Sequence, residues 1–136
     1  MERIITENEK EKYYFKGDFE IIGDTVVSYK GKDSDVTIPD DITKIGDRVF
    51  AYCESLKSIT VPNSVTSIGY YAFAWCESLK AIIIPDGVTW IGYRTFEGCT
   101  GLTSVTIPER FKNKVTLKEI GFDNYQIYLI LNKTLK

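Results

Sequence analysis

A period of 23 residues runs through most of this sequence. The chain has only four prolines, and they lie 23 residues apart, at Pro39, Pro62, Pro85 and Pro108. Other columns repeat with the same step: Cys53, Cys76 and Cys99; Gly46, Gly69 and Gly92; Phe50, Phe73 and Phe96; Leu56, Leu79 and Leu102; Ile45, Ile68 and Ile91. A fixed period of this length indicates a protein built from stacked repeats. We therefore predict a solenoid of 23-residue coils.

The first part of each unit predicts a strand. Residues 79–84 form a β-branched run that suits a strand. The two-residue period of a strand places Ile82 and Ile84 on one side, facing the core, and Ala81 and Ile83 on the other. Pro85 ends the run because it has no N–H to donate to a ladder.

The second part of the unit predicts a short inward stretch followed by a tight turn. Val88 and Ile91 form the inward stretch, and residues 93–98 are long enough for one helical or 3-10 turn. Phe96 and Cys99, three residues apart, can share the buried side of that turn. A single unit cannot bury these apolar positions, so neighbouring coils must stack at about the strand spacing of 4.8 Å.

Stacking of such units predicts the fold class. We expect an α/β repeat solenoid, a right-handed (βα) superhelix with 23-residue coils. A parallel sheet would line one side, short helical or 3-10 turns would line the other, and each open end would need a cap.

The quoted units resemble a known family. Residues 61–82, V-P-N-S-V-T-S-I-G-Y-Y-A-F-A-W-C-E-S-L-K-A-I, and residues 84–105, I-P-D-G-V-T-W-I-G-Y-R-T-F-E-G-C-T-G-L-T-S-V, are similar to BspA-like (Treponema pallidum-type) leucine-rich repeats. The resembling pattern covers about residues 36–111. The resemblance implies a bacterial or protist protein with a role in recognition, since members are often surface adhesins that bind host matrix proteins or other cells.

The pattern weakens at both ends, and we predict a single domain with three parts. Residues 1–35 are an N-terminal segment and cap, 36–108 the repeats, and 109–136 a C-terminal cap. Residues 1–12 are expected to be loose. Two readings of residues 13–35 stay open: either Phe19, Ile22 and Gly23 continue the register of Ile42, Ile45 and Gly46, or Phe19–Ile22 and Thr25–Tyr29 form a hairpin.

At the C-terminal end the register is lost after Phe111. Phe111, Val115 and Leu117 are predicted to line a short helix that ends near Gly121. Residues 126–131 are predicted to form a final strand.

Composition excludes several functions. The formal net charge is −2 with both signs mixed, so nucleic acid is not an expected partner. No apolar run approaches the length of a membrane-spanning helix, so membrane insertion is not expected. The N-terminal decapeptide is charged where a signal peptide needs an apolar stretch, so the chain as written is expected in the cytoplasm, although the resembling family is often secreted or at the cell surface.

The residue types also argue against catalysis. The chain has no histidine, which removes Ser-His and Cys-His pairs and the commonest metal ligand. The three cysteines form no C-x-x-C pair, so we interpret them as a column of buried thiols that act as small apolar groups. We predict that the protein is not an enzyme and carries no cofactor or metal.

The candidate binding residues are outward-facing positions of the repeat. They are Tyr52 and Trp75 in one column, Tyr70 and Tyr93 in another, Trp90, and Thr60 and Ile83 on the sheet that would form the concave face. Exposed aromatic side chains suit a protein hot spot or glycan stacking. The alternative is that the aromatics cover the turns and that the threonines stabilise the ladder.

Three functional hypotheses follow. The first is an adhesin-like module that binds host matrix or cell-surface proteins. The second is an intracellular protein-interaction scaffold, favoured by the charged N-terminus. The third is a glycan-binding element that uses Tyr52, Trp75 and Trp90.

Overall fold

Each full coil contributes one strand to each of two sheets. The structure is a computed structural model that describes residues 12–132. In chain order the strands are β1 (Tyr13–Lys16), β2 (Phe19–Ile22), β3 (Thr25–Tyr29), β4 (Asp35–Thr37), β5 (Lys44–Ile45), β6 (Ser58–Thr60), β7 (Ser67–Ile68), β8 (Ala81–Ile83), β9 (Trp90–Ile91) and β10 (Ser104–Thr106). A 3-10 helix, Glu109–Phe111, and two α-helices, α1 (Lys114–Glu119) and α2 (Asn124–Leu131), follow.

The predicted parallel sheet is confirmed, and its register is the sequence period. Strands β4, β6, β8 and β10 form a four-stranded sheet. Asp35 pairs with Ser58, Ser58 with Ala81, and Ala81 with Ser104, each one period further along the chain. Four stacked coils therefore form a solenoid with one strand of this sheet in each coil.

A second parallel ladder lies where the second inward stretch was predicted. Lys44 of β5 pairs with Ser67 of β7, which pairs with Trp90 of β9. The N-terminal strands extend this ladder to the order β1-β2-β3-β5-β7-β9. Each coil of the repeat is therefore held to its neighbours by two sheets rather than one.

The predicted helical turns are only partly correct. In residues 71–76, the N–H of Ala74 donates to Tyr71 O (3.1 Å) and that of Cys76 to Phe73 O (3.2 Å), which makes a tight turn. Alternate N–H groups instead donate to the next coil: Phe73 to Thr95 O (2.9 Å) and Trp75 to Glu97 O (2.6 Å). Because the next coil satisfies these donors, the segment stays a stacked turn and does not develop into a helix.

The core is a set of stacked columns. The rings of Phe50, Phe73 and Phe96 lie almost parallel, with centroids 5.2 and 5.6 Å apart, and Phe122 continues the stack at 4.9 Å from Phe96. The inward and outward sides of β8 are as predicted, because Ile82 is buried while Ile83 is 66% exposed. The same side chains thus recur at the same depth in every coil.

The glycine column marks the place where adjacent backbones come closest. A Cβ atom on Gly92 would lie 2.5 Å from Tyr70 N and 2.7 Å from Gly69 C, both in the previous coil. Any side chain would push the coils apart, so close backbone approach explains this column.

The hairpin reading of the N-terminal segment is correct. β2 pairs antiparallel with β3 through a turn that contains Gly23 (φ 64°). The alternative register is wrong for Phe19, Ile22 and Gly23, because Val26 rather than Ile22 pairs with Ile45. Hairpin formation puts β3 beside the first coil and leaves Ile22 on an exposed surface. The prediction for residues 1–12 falls, except for Lys12, outside the described residues.

At the C-terminal end one helix prediction is confirmed in part and the strand prediction is wrong. Phe111 and Leu117 are buried and Gly121 (φ 107°) follows α1, but Val115 is 68% exposed because it lies on the outer side of the helix. Residues 124–131 are helical although a strand was predicted for 126–131. A capping box between Asp123 and Gln126 starts this helix.

The described helices are short. No helix in residues 12–132 has the length and apolarity needed to cross a membrane. The right-handed winding, the three-part division of the chain and the capping roles of its ends stay predictions.

Candidate binding surfaces

The cysteine column is structural. Cys76 and Cys99 are buried, Cys53 is half-buried, and all three are free thiols. The Sγ of Cys76 donates to Phe50 O and that of Cys99 to Phe73 O, both at 3.0 Å. The neighbouring Cys99 thiol, together with burial, raises the pKa of Cys76, and burial alone raises the pKa of Cys53. The prediction of buried thiols is therefore confirmed for Cys76 and Cys99, while Cys53 is only half-buried.

No cluster of metal-ligating side chains is present in residues 12–132. Residues 12–132 contain no group of three or more Cys, Asp or Glu side chains placed to hold a metal ion.

The first candidate surface is the outward side of the four-stranded sheet, which we call the threonine face. Its residues are Thr37, Thr60, Ile83 and Thr106, all exposed. Ile83 is the single apolar member and pairs with Thr106. Asp35 at its edge accepts a hydrogen bond from Ser58 Oγ (2.5 Å). The side chains of this face are small and nearly uncharged, and Ile83 is its exposed apolar position.

The second candidate surface lies on the turns, and we call it the arginine–aromatic cluster: Arg48, Tyr52, Tyr71 and Trp75. The rings of Tyr52 and Trp75 stack with centroids 5.0 Å apart and planes 7° apart. Tyr71 also stacks with Trp75, at 6.0 Å and 9°. The Arg48 guanidinium lies over the Tyr71 ring, 4.7 Å from its centroid. Sequence reasoning found Tyr52 and Trp75 but missed Arg48 and Tyr71.

A third group of aromatic side chains lies next to the second ladder. Tyr70 and Trp90 meet edge to face, with centroids 5.3 Å apart. Arg94 lies 5.0 Å from the Tyr93 ring centroid and 4.0 Å from the carboxylate of Glu97. The predicted aromatics are thus divided between two groups, while Thr60 and Ile83 belong to the other sheet.

Left-handed backbone is concentrated in and beside the arginine–aromatic cluster. Among residues 12–132, five non-glycine residues have positive φ: Arg48 (59°), Tyr52 (64°), Tyr71 (56°), Trp75 (59°) and Arg94 (56°). They occupy two columns of the repeat, and the equivalent of Tyr52 and Trp75 in the next coil is Gly98 (φ 74°). Left-handed backbone costs a non-glycine residue about 1–2 kcal/mol. Positive φ recurs every 23 residues, at positions 48, 71 and 94 and at positions 52, 75 and 98. The residue types at these positions differ, so the sequence pattern does not reveal this backbone conformation.

Tyr52 provides a direct test of this strain. The Tyr52→Gly variant should be more stable than the Tyr52→Ala variant by about 1 kcal/mol. Alanine still bears the energetic cost of a left-handed backbone conformation, whereas glycine does not. Urea denaturation measures the difference. The matched pair Lys118→Gly and Lys118→Ala, in helix α1, should show the opposite order, by about 1 kcal/mol. An alanine variant at position 52 at least as stable as the glycine variant would contradict the assignment.

A groove adjoins the third group. It has a volume of about 520 Å³ and lies between the turn of the last repeat and the C-terminal segment. Its lining includes Arg94, Glu97, Lys118, Glu119 and Asp123. Charges of both signs line it, so its electrostatics favour neither a cation nor an anion.

Comparison with solved structures shows the same solenoid in bacterial proteins. A leucine-rich cell surface protein from Faecalibacterium prausnitzii A2-165 is 34% identical over 69% of this chain and 31% of its own, with a TM-score of 0.61. A leucine-rich repeat protein from Eubacterium ventriosum ATCC 27560 is 29% identical over 74% of this chain and 28% of its own, with a TM-score of 0.64.

The pneumococcal vaccine antigen PcpA shares the fold at 20% identity, covering 75% of this chain and 32% of its own, with a TM-score of 0.57. The chain therefore matches about a third or less of the length of each of these solved proteins.

No curated protein matches the sequence. A family model for the BspA-type leucine-rich repeat region matches residues 20–130 in six copies. That match covers most of the chain and extends into the N-terminal hairpin and the C-terminal helices. The chain therefore belongs to the family of BspA-type leucine-rich repeat proteins.

Proposed function

We propose that this chain is a non-catalytic recognition module that binds host or cell-surface proteins in the manner of an adhesin. The observation that carries the proposal is the arginine–aromatic cluster. Tyr, Trp and Arg are the residue types that dominate the binding energy of protein interfaces. Here they occupy exposed or half-exposed turn positions whose left-handed backbone would be less strained with glycine.

Family membership supports a recognition role, and the relatives support a surface location. The Faecalibacterium protein is described as a cell surface protein and PcpA as a vaccine antigen. Both are bacterial proteins. Repetition of one supersecondary unit creates an extended surface, which suits the binding of another macromolecule.

The ring geometry favours a protein over a glycan at this cluster. Sugars stack on the open face of an aromatic ring. The rings of Tyr52 and Trp75 face each other. The Trp75 indole also lies against Gly98. Stacking closes one face of each of these two rings to a sugar. The Trp90 ring, in the third group, is the better position for a glycan if one binds.

Affinity measurements with the intact chain test the proposal. Immobilised host matrix proteins and host cell-surface proteins, neutral oligosaccharides and a lysate of the source organism are presented in parallel. Saturable binding to a matrix or cell-surface protein is expected. Capture only from the organism's own lysate would instead favour an intracellular scaffold, and binding only to oligosaccharide would favour a glycan-binding element; either result would overturn the adhesin-like role.

A further inference from the structure

Arg48 differs from the other arginines that the structure describes. Arg94 lies 4.0 Å from the Glu97 carboxylate, and Arg110 Nη1 donates to the carbonyls of Asp86 (2.9 Å) and Val88 (2.6 Å). Arg48 forms no ion pair within residues 12–132, and its guanidinium lies over the Tyr71 ring instead. Arg48 is an exposed residue. A cation is thus held in place without an anionic partner.

The contact with Tyr71 also orients this cation. A guanidinium stacked on a ring keeps its N–H groups in the guanidinium plane, where two of them can donate to one carboxylate. Stacking restricts the side chain before a ligand arrives, which reduces the conformational entropy lost on binding. The site is therefore prepared for a carboxylate.

An apolar surface is connected to this cation. Ring contacts run from Tyr71 to Trp75 and from Trp75 to Tyr52, which is 65% exposed. A Cβ on Gly98 would collide with the Trp75 indole, so glycine at this position makes room for the indole. Trp75 is held between Tyr52 and the backbone of the following coil. The stacked pair of Tyr52 and Trp75 offers a neighbouring contact for an apolar or aromatic side chain.

We propose that the arginine–aromatic cluster binds an acidic segment of a partner polypeptide. Arg48 would take a carboxylate of that segment, and Tyr52 with Trp75 would contact an adjacent apolar or aromatic side chain. The inference rests on the proposed function and names its surface and the chemistry of its partner. One unpaired cation beside stacked rings fits a single carboxylate next to an apolar residue. It does not fit the run of phosphates that nucleic-acid binding requires.

Charge complementarity favours an acidic peptide over a neutral glycan as the ligand of this cluster. A glycan without charge would leave the Arg48 guanidinium without a charged partner, and hydrogen bonds between charged groups are stronger than those between neutral groups. An acidic peptide satisfies Arg48 and uses the apolar surface at the same time.

The test uses a fluorescently labelled peptide and the intact chain. The probe is Gly-Asp-Glu-Phe-Glu-Asp-Gly, and its counterpart replaces every Asp by Asn and every Glu by Gln. Fluorescence anisotropy at low and moderate salt gives the dissociation constants. We expect saturable binding of the acidic peptide that weakens with salt, and at least about tenfold weaker binding of the amide counterpart.

Variants locate the site. Arg48→Gln and Tyr52→Ala should each weaken binding of the acidic peptide about tenfold or more. Arg48→Lys should lose part of the affinity, because lysine keeps the charge but cannot form the two-pronged contact. Lys57→Gln and Tyr125→Ala remove an exposed cation and a 63% exposed ring elsewhere, and should leave the affinity unchanged. Unfolding curves of each variant show whether the fold is kept.

The outcomes separate this inference from the proposed function. If the chain binds a matrix protein equally well with and without Arg48→Gln, and does not bind the acidic peptide, the proposed function stands and the assignment of this cluster is overturned. Acidic-peptide binding that depends on Arg48, without binding to any matrix or cell-surface protein, supports the cluster and overturns the adhesin-like role. Binding of neutral maltoheptaose that depends on Tyr52 but not on Arg48 overturns the cluster's assignment in favour of a glycan.

Discussion

Phe73→Ala is expected to lower the free energy of unfolding by about 3–5 kcal/mol, the cost of a fully buried large-to-small change. Phe73 is completely buried and stacks between Phe50 and Phe96. Removing its ring leaves a cavity between two coils. The rings on either side belong to backbones that two parallel ladders hold at a fixed spacing, so the cavity cannot collapse easily. Urea or thermal denaturation of the purified variant measures the loss.

Two further variants give the control for this loss. Phe73→Leu keeps most of the volume and should cost clearly less than alanine. Tyr125→Ala removes a 63% exposed ring on α2 and should change stability by less than about 0.5 kcal/mol. Wild-type stability in Phe73→Ala would refute the central position of the phenylalanine column.

Gln126→Leu is the second substitution with a large expected effect, about 2–4 kcal/mol of lost stability. Gln126 is buried, and its Nε2 donates to Cys99 O (2.7 Å) and Leu102 O (2.8 Å) of the last repeat. Its Oε1 accepts the N–H of Asp123 (2.9 Å). Leucine fills a similar volume but leaves two carbonyls and one helix-terminal N–H without these partners.

Comparison with Gln126→Glu identifies the cause. Glutamate can still accept the Asp123 N–H, but it has no donor for the two carbonyls and places a negative charge beside them. The Gln126→Glu variant should therefore lose at least as much stability as the Gln126→Leu variant. Equilibrium denaturation with urea distinguishes the three proteins. A leucine variant within about 0.5 kcal/mol of the wild type would show that these hydrogen bonds contribute little to stability.

The C-terminal end of the chain shows where sequence reasoning is weakest. Residues 126–131 are rich in aromatic and branched side chains, which favour a strand by propensity. The structure makes them helical because Asp123 and Gln126 start a helix whose buried residues, Gln126, Ile127 and Ile130, contact the last coil. Tertiary contact and a capping box outweigh local propensity here.

The candidate surface was predicted only in part, for a related reason. The outward positions of Tyr52 and Ile83 follow from the repeat, and both are exposed. The link between Arg48 and Tyr71 joins unlike residues in adjacent coils, so no column of identical residues marks it. Left-handed backbone at both residues arises in turns that bond to the next coil, and local propensity does not favour it in Arg or Tyr.

The sequence by itself determined the 23-residue coil, the inward columns and the alternation along β8. These follow from nearest-neighbour stacking, in which each residue meets its equivalent one period away, so a repeated residue type reports its own packing partner. Only the tertiary structure decided the second ladder, the stacked turns in place of helices, the helical C-terminal segment and the partner of Arg48. Each of these features depends on which distant backbone or side-chain group contacts a given donor, acceptor or charged group. Tertiary packing, rather than the local sequence, determines that partner.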